Sequence, residues 1–220
     1  IVGPATSSRV NTAYLQVESY GTLLITPSAT SPALTDLDGL DSSYDSPGLL
    51  WRTVPPDDLQ GEVLAQYMID QDIQLVATIY EEGEYGGALS SVFMESFNGS
   101  GRQAKPLAYQ PNNSESLRQA FDGVQAQDAV LFISPDTEDI KRFLEEVVDD
   151  SFGSKDVFLA DGAKSVTLFE GVPGIENRLG QILGSAPASE RGVVYESFAA
   201  AYTSKYGESA DEQTTYTDRA

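Results

Sequence analysis

The feature that most constrains this chain is a rhythm of short, unbroken apolar runs separated by amphipathic stretches. The runs fall at residues 22–26 (TLLIT), 75–80 (LVATIY), 106–109, 129–134 (AVLFIS), 157–160 (VFLA) and 180–184 (GQILG). Helical spacing of apolar residues marks 7–20, 58–71, 86–98, 114–123, 137–149, 165–169 and 189–206. Four to six apolar residues without alternation are what a strand buried on both faces requires. Helices placed between such strands make successive βα units, which predicts an α/β fold of doubly wound parallel sheets.

Two stretches interrupt the rhythm. Residues 30–56 are rich in Ser, Pro, Asp and Gly and close on Trp51-Arg52-Thr53-Val54-Pro55-Pro56; residues 185–188 read Ser-Ala-Pro-Ala. They bracket a block holding most of the strand candidates. The expectation is a two-lobed molecule in which 54–187 form a complete second lobe and 1–53 with 188–220 form a partial first lobe. The crossings fall near 52–56 and 185–188. Ile1-Val2-Gly3-Pro4 reads as the last part of a buried strand entering a turn, and 213–217 as the approach to a further element. The chain is therefore expected to be an internal fragment of a longer protein, whose uncovered apolar strand edges favour self-association.

Composition removes whole chemistries. Among 220 residues there is no histidine and no cysteine, so imidazole or thiolate metal sites, disulfides and Ser/His/Asp or Cys/His nucleophiles are excluded. A net charge of −21, from 34 acidic and 13 basic side chains, disfavours nucleic acid and anionic lipid as partners. Spread over every helix, that acid points first to solubility or to a salty or extracellular habitat. No stretch approaches the ~20 apolar residues that span a bilayer. The adjacent carboxylates Asp57-Asp58, Glu81-Glu82, Glu145-Glu146 and Asp149-Asp150 fall on helix faces or starts and read as solvated acid. Asp36, Asp38, Asp41 and Asp45 invite a calcium loop, but Leu40 and Asp41 stand where that loop needs a ligand and a glycine. No catalytic residue, metal or cofactor is expected.

In an open parallel sheet, ligands collect where strand carboxyl ends meet helix amino ends, because backbone N–H groups and the helix dipole point there. Two hydroxyl-rich turns after strands, carrying Ser7 and Ser8 and then Ser28, Ala29 and Thr30, suit a small carboxylate; the plainer alternative is helix capping. Asp161, after the run at 157–160, can pair with an ammonium group, and Tyr85 can pack on it or donate a hydrogen bond. Their plainer alternatives are an N-cap and a helix-start packing residue. Trp51 beside Arg52 reads as interlobe packing.

The segments LLITPSATSPALT (23–35), WRTVPPDDLQG (51–61), LVATIYEEGEYGGALSSVF (75–93) and FAAAYTSKYG (198–207) resemble the type 1 periplasmic binding proteins, in particular the branched-chain amino-acid (Leu/Ile/Val) group, in that family's order. The resemblance implies a two-lobed clamp that closes on a small solute, an amino acid, and hands it to an ABC permease in the membrane. It implies a periplasmic or extracellular location, with or without a lipid anchor. It also implies that Ser7, Ser8, Ser28, Ala29 and Thr30 hold the carboxylate and part of the ammonium, that Tyr85 closes over the solute, and that Asp161 takes the ammonium. Ser134-Pro135-Asp136 departs from the family at a place where members that bind aliphatic amino acids often carry an aromatic. A ligand-sensing domain of a receptor on the same fold is the alternative.

Overall fold

The computed structural model describes residues 1–39, 48–187 and 192–207. In chain order the elements are α1 (Ser7–Val17), β1 (Leu24–Thr26), β2 (Leu50–Arg52), α2 (Asp57–Asp70), β3 (Leu75–Glu81), α3 (Gly86–Gly99), β4 (Gln103–Tyr109), α4 (Ser114–Asp122), β5 (Ala129–Ile133), α5 (Thr137–Val148), β6 (Asp156–Leu159), α6 (Val166–Glu170), β7 (Ile182–Gly184) and α7 (Val193–Tyr206). The chain divides into two compact units, Ile1–Thr30 with Leu34–Pro55 and Pro187–Ala220, and Ser31–Ala33 with Pro56–Ala186.

The second unit is built on one parallel sheet with strand order β4-β3-β5-β6-β7 among the described residues. Alternation along the strands sorts the core into two layers. Ala77, Ile79, Val130, Phe132, Val157 and Leu159 point into one layer, which α4 and α5 complete with Phe121 and Phe143. Val76, Ala129, Leu131, Ile133 and Phe158 point into the other, against Leu64 and Met68 of α2 and Phe93 of α3. All five residues of β5 are buried, as a central strand covered on both faces must be. Pro106 lies in β4, a strand at the edge of the sheet, where a missing N–H is tolerated. Two helices carry explicit start signals. The Asp136 carboxylate accepts from the Glu138 and Asp139 amides at 2.9 and 3.0 Å, and Asn113 Oδ1 accepts from the Ser116 amide at 3.0 Å.

In the first unit β1 and β2 pair in parallel, with Thr26 opposite Arg52. Residues 1–3 run beside β1: the Gly3 amide donates to the Ile25 carbonyl at 2.8 Å and the Ile25 amide to that of Ile1 at 2.9 Å. Val10, Tyr14, Leu24, Ala29 and Leu34 form the core. The strand expected at residues 1–4 is present in its pairing but not in its burial, since Ile1 and Val2 are 57% and 66% exposed and lie outside that core.

Other departures are local. β2 falls inside the Ser/Pro/Asp/Gly stretch read as punctuation. Trp51 in that strand is 47% exposed, and its indole N–H donates to the Gly48 carbonyl at 3.2 Å. The expected helix over 7–20 ends at Val17 in a 3₁₀ turn, Glu18–Tyr20. Asp57, read as solvated acid, opens α2 and is fully buried. The last helix begins at Val193; its expected start at residue 189, and Asp41 and Asp45, lie outside the described residues. The Asp38 carboxylate caps the approach to β2, accepting from the Leu49 and Leu50 amides at 3.0 and 3.3 Å, and the described residues contain no acidic group arranged to hold a metal.

Candidate functional site

The carboxyl-end rim of the second unit's sheet is polar and largely buried. β3 ends at Glu81, and the turn that follows brings the chain sharply into α3: a Cβ on Gly86 would lie 2.2 Å from the Glu81 carbonyl oxygen, so only glycine fits there. That turn sets Tyr85 over the end of β6. The Tyr85 hydroxyl donates to the Asp161 carboxylate at 2.5 Å and accepts from the Gly162 amide at 3.2 Å. Burial raises the Asp161 carboxyl above its ordinary value, while hydrogen bonds from Tyr85, from the Gln60 side chain and from backbone amides work against that rise. The Tyr85 phenol is pushed well above its ordinary value, first by burial and then by the Asp161 charge. It stays protonated and can only donate to that carboxylate. Asp57 lies close enough to add to the field at Tyr85, and the Gln60 amide also donates to the Ser185 hydroxyl and carbonyl at 2.9 and 3.2 Å.

A second polar group flanks this one along the same rim. The Tyr109 hydroxyl donates to Ser134 Oγ at 2.8 Å, and the Ser134 hydroxyl donates to the Glu81 carboxylate at 3.3 Å. Glu81 is raised above its ordinary value by burial, with Asp139 and Asp136 adding to the rise and Ser134 and Tyr109 opposing it.

The corresponding rim of the first unit holds the hydroxyl-rich turns. Thr26 Oγ1 donates to the Pro4 carbonyl at 2.8 Å and accepts from the Ala29 amide at 3.2 Å. The Ser28 hydroxyl donates to the Ala5 carbonyl at 2.8 Å. These bonds lace the turn at 4–6 to the turn at 26–30. Ser7 is buried in the first turn of α1 and Ser8 is exposed; the N-cap position belongs to Thr6, whose side chain makes no capping bond. Ala29 and Thr30 are buried. The Thr30 carbonyl accepts from Arg52 Nη1 at 3.2 Å, and Arg52 also bonds Thr35 Oγ1. Beside them lies a cavity of about 190 Å³ lined by Thr26, Leu34, Thr35, Leu50, Trp51 and Arg52.

The structure thus brings Tyr85 and Asp161 into direct contact in the second unit, and gathers Ser28, Ala29 and Thr30 next to the turn that leads to Ser7 and Ser8 in the first. Sequence reasoning missed Asp57, Gln60, Glu81 and Tyr109. A signal existed for the first two, since Asp57 and Gln60 stand three apart directly after Pro55-Pro56 and must share a helix face.

Among the described residues no helix is long and apolar enough to cross a membrane. The chain is 33% identical over 102 residues to the Leu/Ile/Val-binding protein BraC3 of Rhizobium johnstonii, a match over 46% of this chain and 26% of that protein. The crystal structure of the leucine binding protein LivK from Thermotoga maritima matches 100% of this chain and 61% of its own at a TM-score of 0.75 and 20% identity. An ABC transporter substrate-binding protein from Desulfitobacterium hafniense, solved in complex with Leu, matches 99% of this chain and 59% of its own at a TM-score of 0.65 and 19% identity. The chain therefore spans about three fifths of the length of these solved relatives. At such identities the likeness is one of fold, the type 1 periplasmic binding protein fold. The family model described as receptor family ligand binding region matches residues 1–215, and the chain belongs to that family.

Proposed function

We propose that this chain is the ligand-holding part of an ABC transporter's solute-binding protein, that the solute is an amino acid, and that a membrane permease receives it. On this reading the protein works in the periplasm or outside the cell. Asp161, oriented by Tyr85, takes the ammonium group. The turns carrying Ser7, Ser8, Ser28, Ala29 and Thr30 take the carboxylate with their amides and hydroxyls. The observation that carries the reading is the Tyr85–Asp161 pair: a half-buried carboxylate at a strand end, bonded by a buried phenol, that among the described residues forms no ion pair with Lys or Arg. Partial withdrawal of a carboxylate from water without a cation beside it carries a cost, which a ligand that supplies one offsets. The relatives named for leucine, or for Leu, Ile and Val, support the solute class.

The experiment is calorimetric titration of the full-length protein with L-leucine and other amino acids. Removing one partner of a buried charged hydrogen bond costs ~2–5 kcal/mol, so Asp161→Asn should weaken binding at least about tenfold. Thr30→Ala removes a neutral hydroxyl and should cost about 1 kcal/mol. Unchanged affinity in a folded Asp161→Asn protein would overturn the ammonium assignment.

The description of the matching family as a receptor ligand-binding region favours a second reading, a sensing domain on the same fold. A transmembrane helix followed by a signalling module in the full-length gene decides for it, and a secretion or lipoprotein signal without such a module decides for transport.

A further inference from the structure

In the first unit, side chains draw off the backbone acceptors of the two hydroxyl-rich turns. The Pro4 carbonyl accepts from Thr26 Oγ1 and the Ala5 carbonyl from the Ser28 hydroxyl, each at 2.8 Å. The Pro27 carbonyl accepts from the Thr53 hydroxyl at 3.4 Å, and the Thr30 carbonyl from Arg52 Nη1 at 3.2 Å. A place that receives an anion needs this. A carbonyl oxygen turned toward a carboxylate repels it, an N–H attracts it, and across a trans peptide the two point in opposite directions. Fixing where a carbonyl points therefore fixes where the following amide points.

Arg52 is the charged donor among these four. Register sets it opposite Thr26 on the neighbouring parallel strand, and the Thr53 amide prolongs the ladder by donating to the Thr26 carbonyl at 3.2 Å. From there one guanidinium reaches both ends of the segment 30–35: Nη1 donates to the Thr30 carbonyl and Nη2 to Thr35 Oγ1, on either side of the 3₁₀ turn Pro32–Leu34. A planar fork serves two acceptors in fixed geometry, and a lysine ammonium does not. Bonds from an ionised donor are also the stronger ones. Packing does not replace them. The cavity of about 190 Å³ opens beside Thr35 and Arg52, and side chains that line a void lack contacts on that side.

We propose that Arg52 is a positioning residue for the solute's carboxylate: its guanidinium holds the Thr30 carbonyl and Thr35 Oγ1, so that the turn carrying Ser28, Ala29 and Thr30 presents amides rather than carbonyls to the anion. The role rests on the reading of that turn as the carboxylate holder. It assigns Arg52 no contact with the solute.

The test uses the full-length protein with two probes, L-leucine and leucinol, which keeps the ammonium group and the side chain but lacks the carboxylate. Affinities are read by calorimetry and NMR titration, and hydrogen exchange of the Ala29 amide is read without ligand. Wild type should bind leucine much more tightly than leucinol. Arg52→Met removes the fork and keeps an apolar stem. It should weaken leucine about tenfold, leave leucinol unchanged and speed Ala29 exchange about tenfold. Arg52→Lys keeps the charge without the fork and should retain most of that loss; full recovery would mean that charge alone acts, which overturns the role. Thr35→Val removes one acceptor at an exposed position and tests the hold even where Arg52→Met fails to fold: leucine should weaken about threefold, with leucinol again unchanged. Equal losses for both probes, unchanged leucine affinity or unmoved Ala29 exchange in folded Arg52→Met overturn the positioning role and leave the carboxylate reading standing. A wild type that binds leucinol as tightly as leucine, or binds neither, overturns the reading of the turn and the positioning role with it.

Discussion

Gly162 lies so close to Ser134 that a Cβ on Gly162 would sit 2.3 Å from the Ser134 carbonyl oxygen. The obstacle is backbone of the turn after β5, which cannot rotate away as a side chain could. Gly162→Ala must therefore push the Asp161 turn outward. Forcing extra atoms into a packed site costs about 1–3 kcal/mol, and urea denaturation of Gly162→Ala should show a loss of that size. The same displacement moves Asp161 away from Tyr85, so solute affinity should fall along with stability. A variant with both unchanged would show that the contact relaxes freely.

Tyr85→Phe keeps the ring and removes one hydroxyl that both donates to Asp161 and accepts from the Gly162 amide. The carboxylate loses its nearest donor, so its pKa should rise further. A hydrogen bond to a charged group is worth about 1.5–3 kcal/mol. Denaturant titration above and below the Asp161 transition should show the loss mainly where Asp161 is ionised.

The layer under α4 and α5 is an aromatic stack. Phe132 and Phe143 lie with ring centroids 4.3 Å apart and 4° between planes, and Phe121 and Phe152 pack on Phe143 at 6.0 and 5.3 Å. Phe143→Ala leaves a void that rigid neighbours fill poorly, and should cost about 3–5 kcal/mol. Thermal unfolding followed by circular dichroism measures it; a loss near 1 kcal/mol would mean that the rings collapse into the space.

Glu81, Asp139 and Asp161 are all held above their ordinary values, with burial the largest cause in each. Just above the ordinary carboxylate range the folded protein keeps protons that the unfolded chain has released. The resulting stability is fully present below the ordinary values, 4.5 for Glu81 and 3.8 for the two aspartates, and is lost as pH rises through the raised ones. Unfolding midpoints in urea should therefore increase from about pH 7 to about pH 5, and Glu81→Gln should flatten that rise. Glu115, drawn down to about 2 by Arg118, acts in the opposite sense at more acidic pH, but it is fully exposed and solvent screening keeps its part small. A midpoint that falls steadily over the same range would contradict the burial of these carboxyls.

The sheet of the second unit was legible because β3, β5 and β6 carry apolar runs long enough to be buried on both faces, and no surface position would tolerate them. The helices after Asn113 and Asp136 were legible from their apolar spacing, and the structure adds at each start a short polar side chain that serves its own backbone. β2 was not, since three residues in a stretch rich in turn formers show no period, and only pairing with β1 makes them a strand. The rim followed the same division. The position of Asp161 after a strand could be read from the chain, but its neighbours could not. Tyr85 is 76 residues away from it, and Gln60 is 125 residues from Ser185. Those meetings depend on the order β3-β5-β6-β7 and on α2 lying against the ends of β6 and β7. Local pattern specifies which face a residue turns to the core. Which carboxylate, phenol and amide share one rim is decided by the packing of whole strands and helices, which no short window of sequence contains.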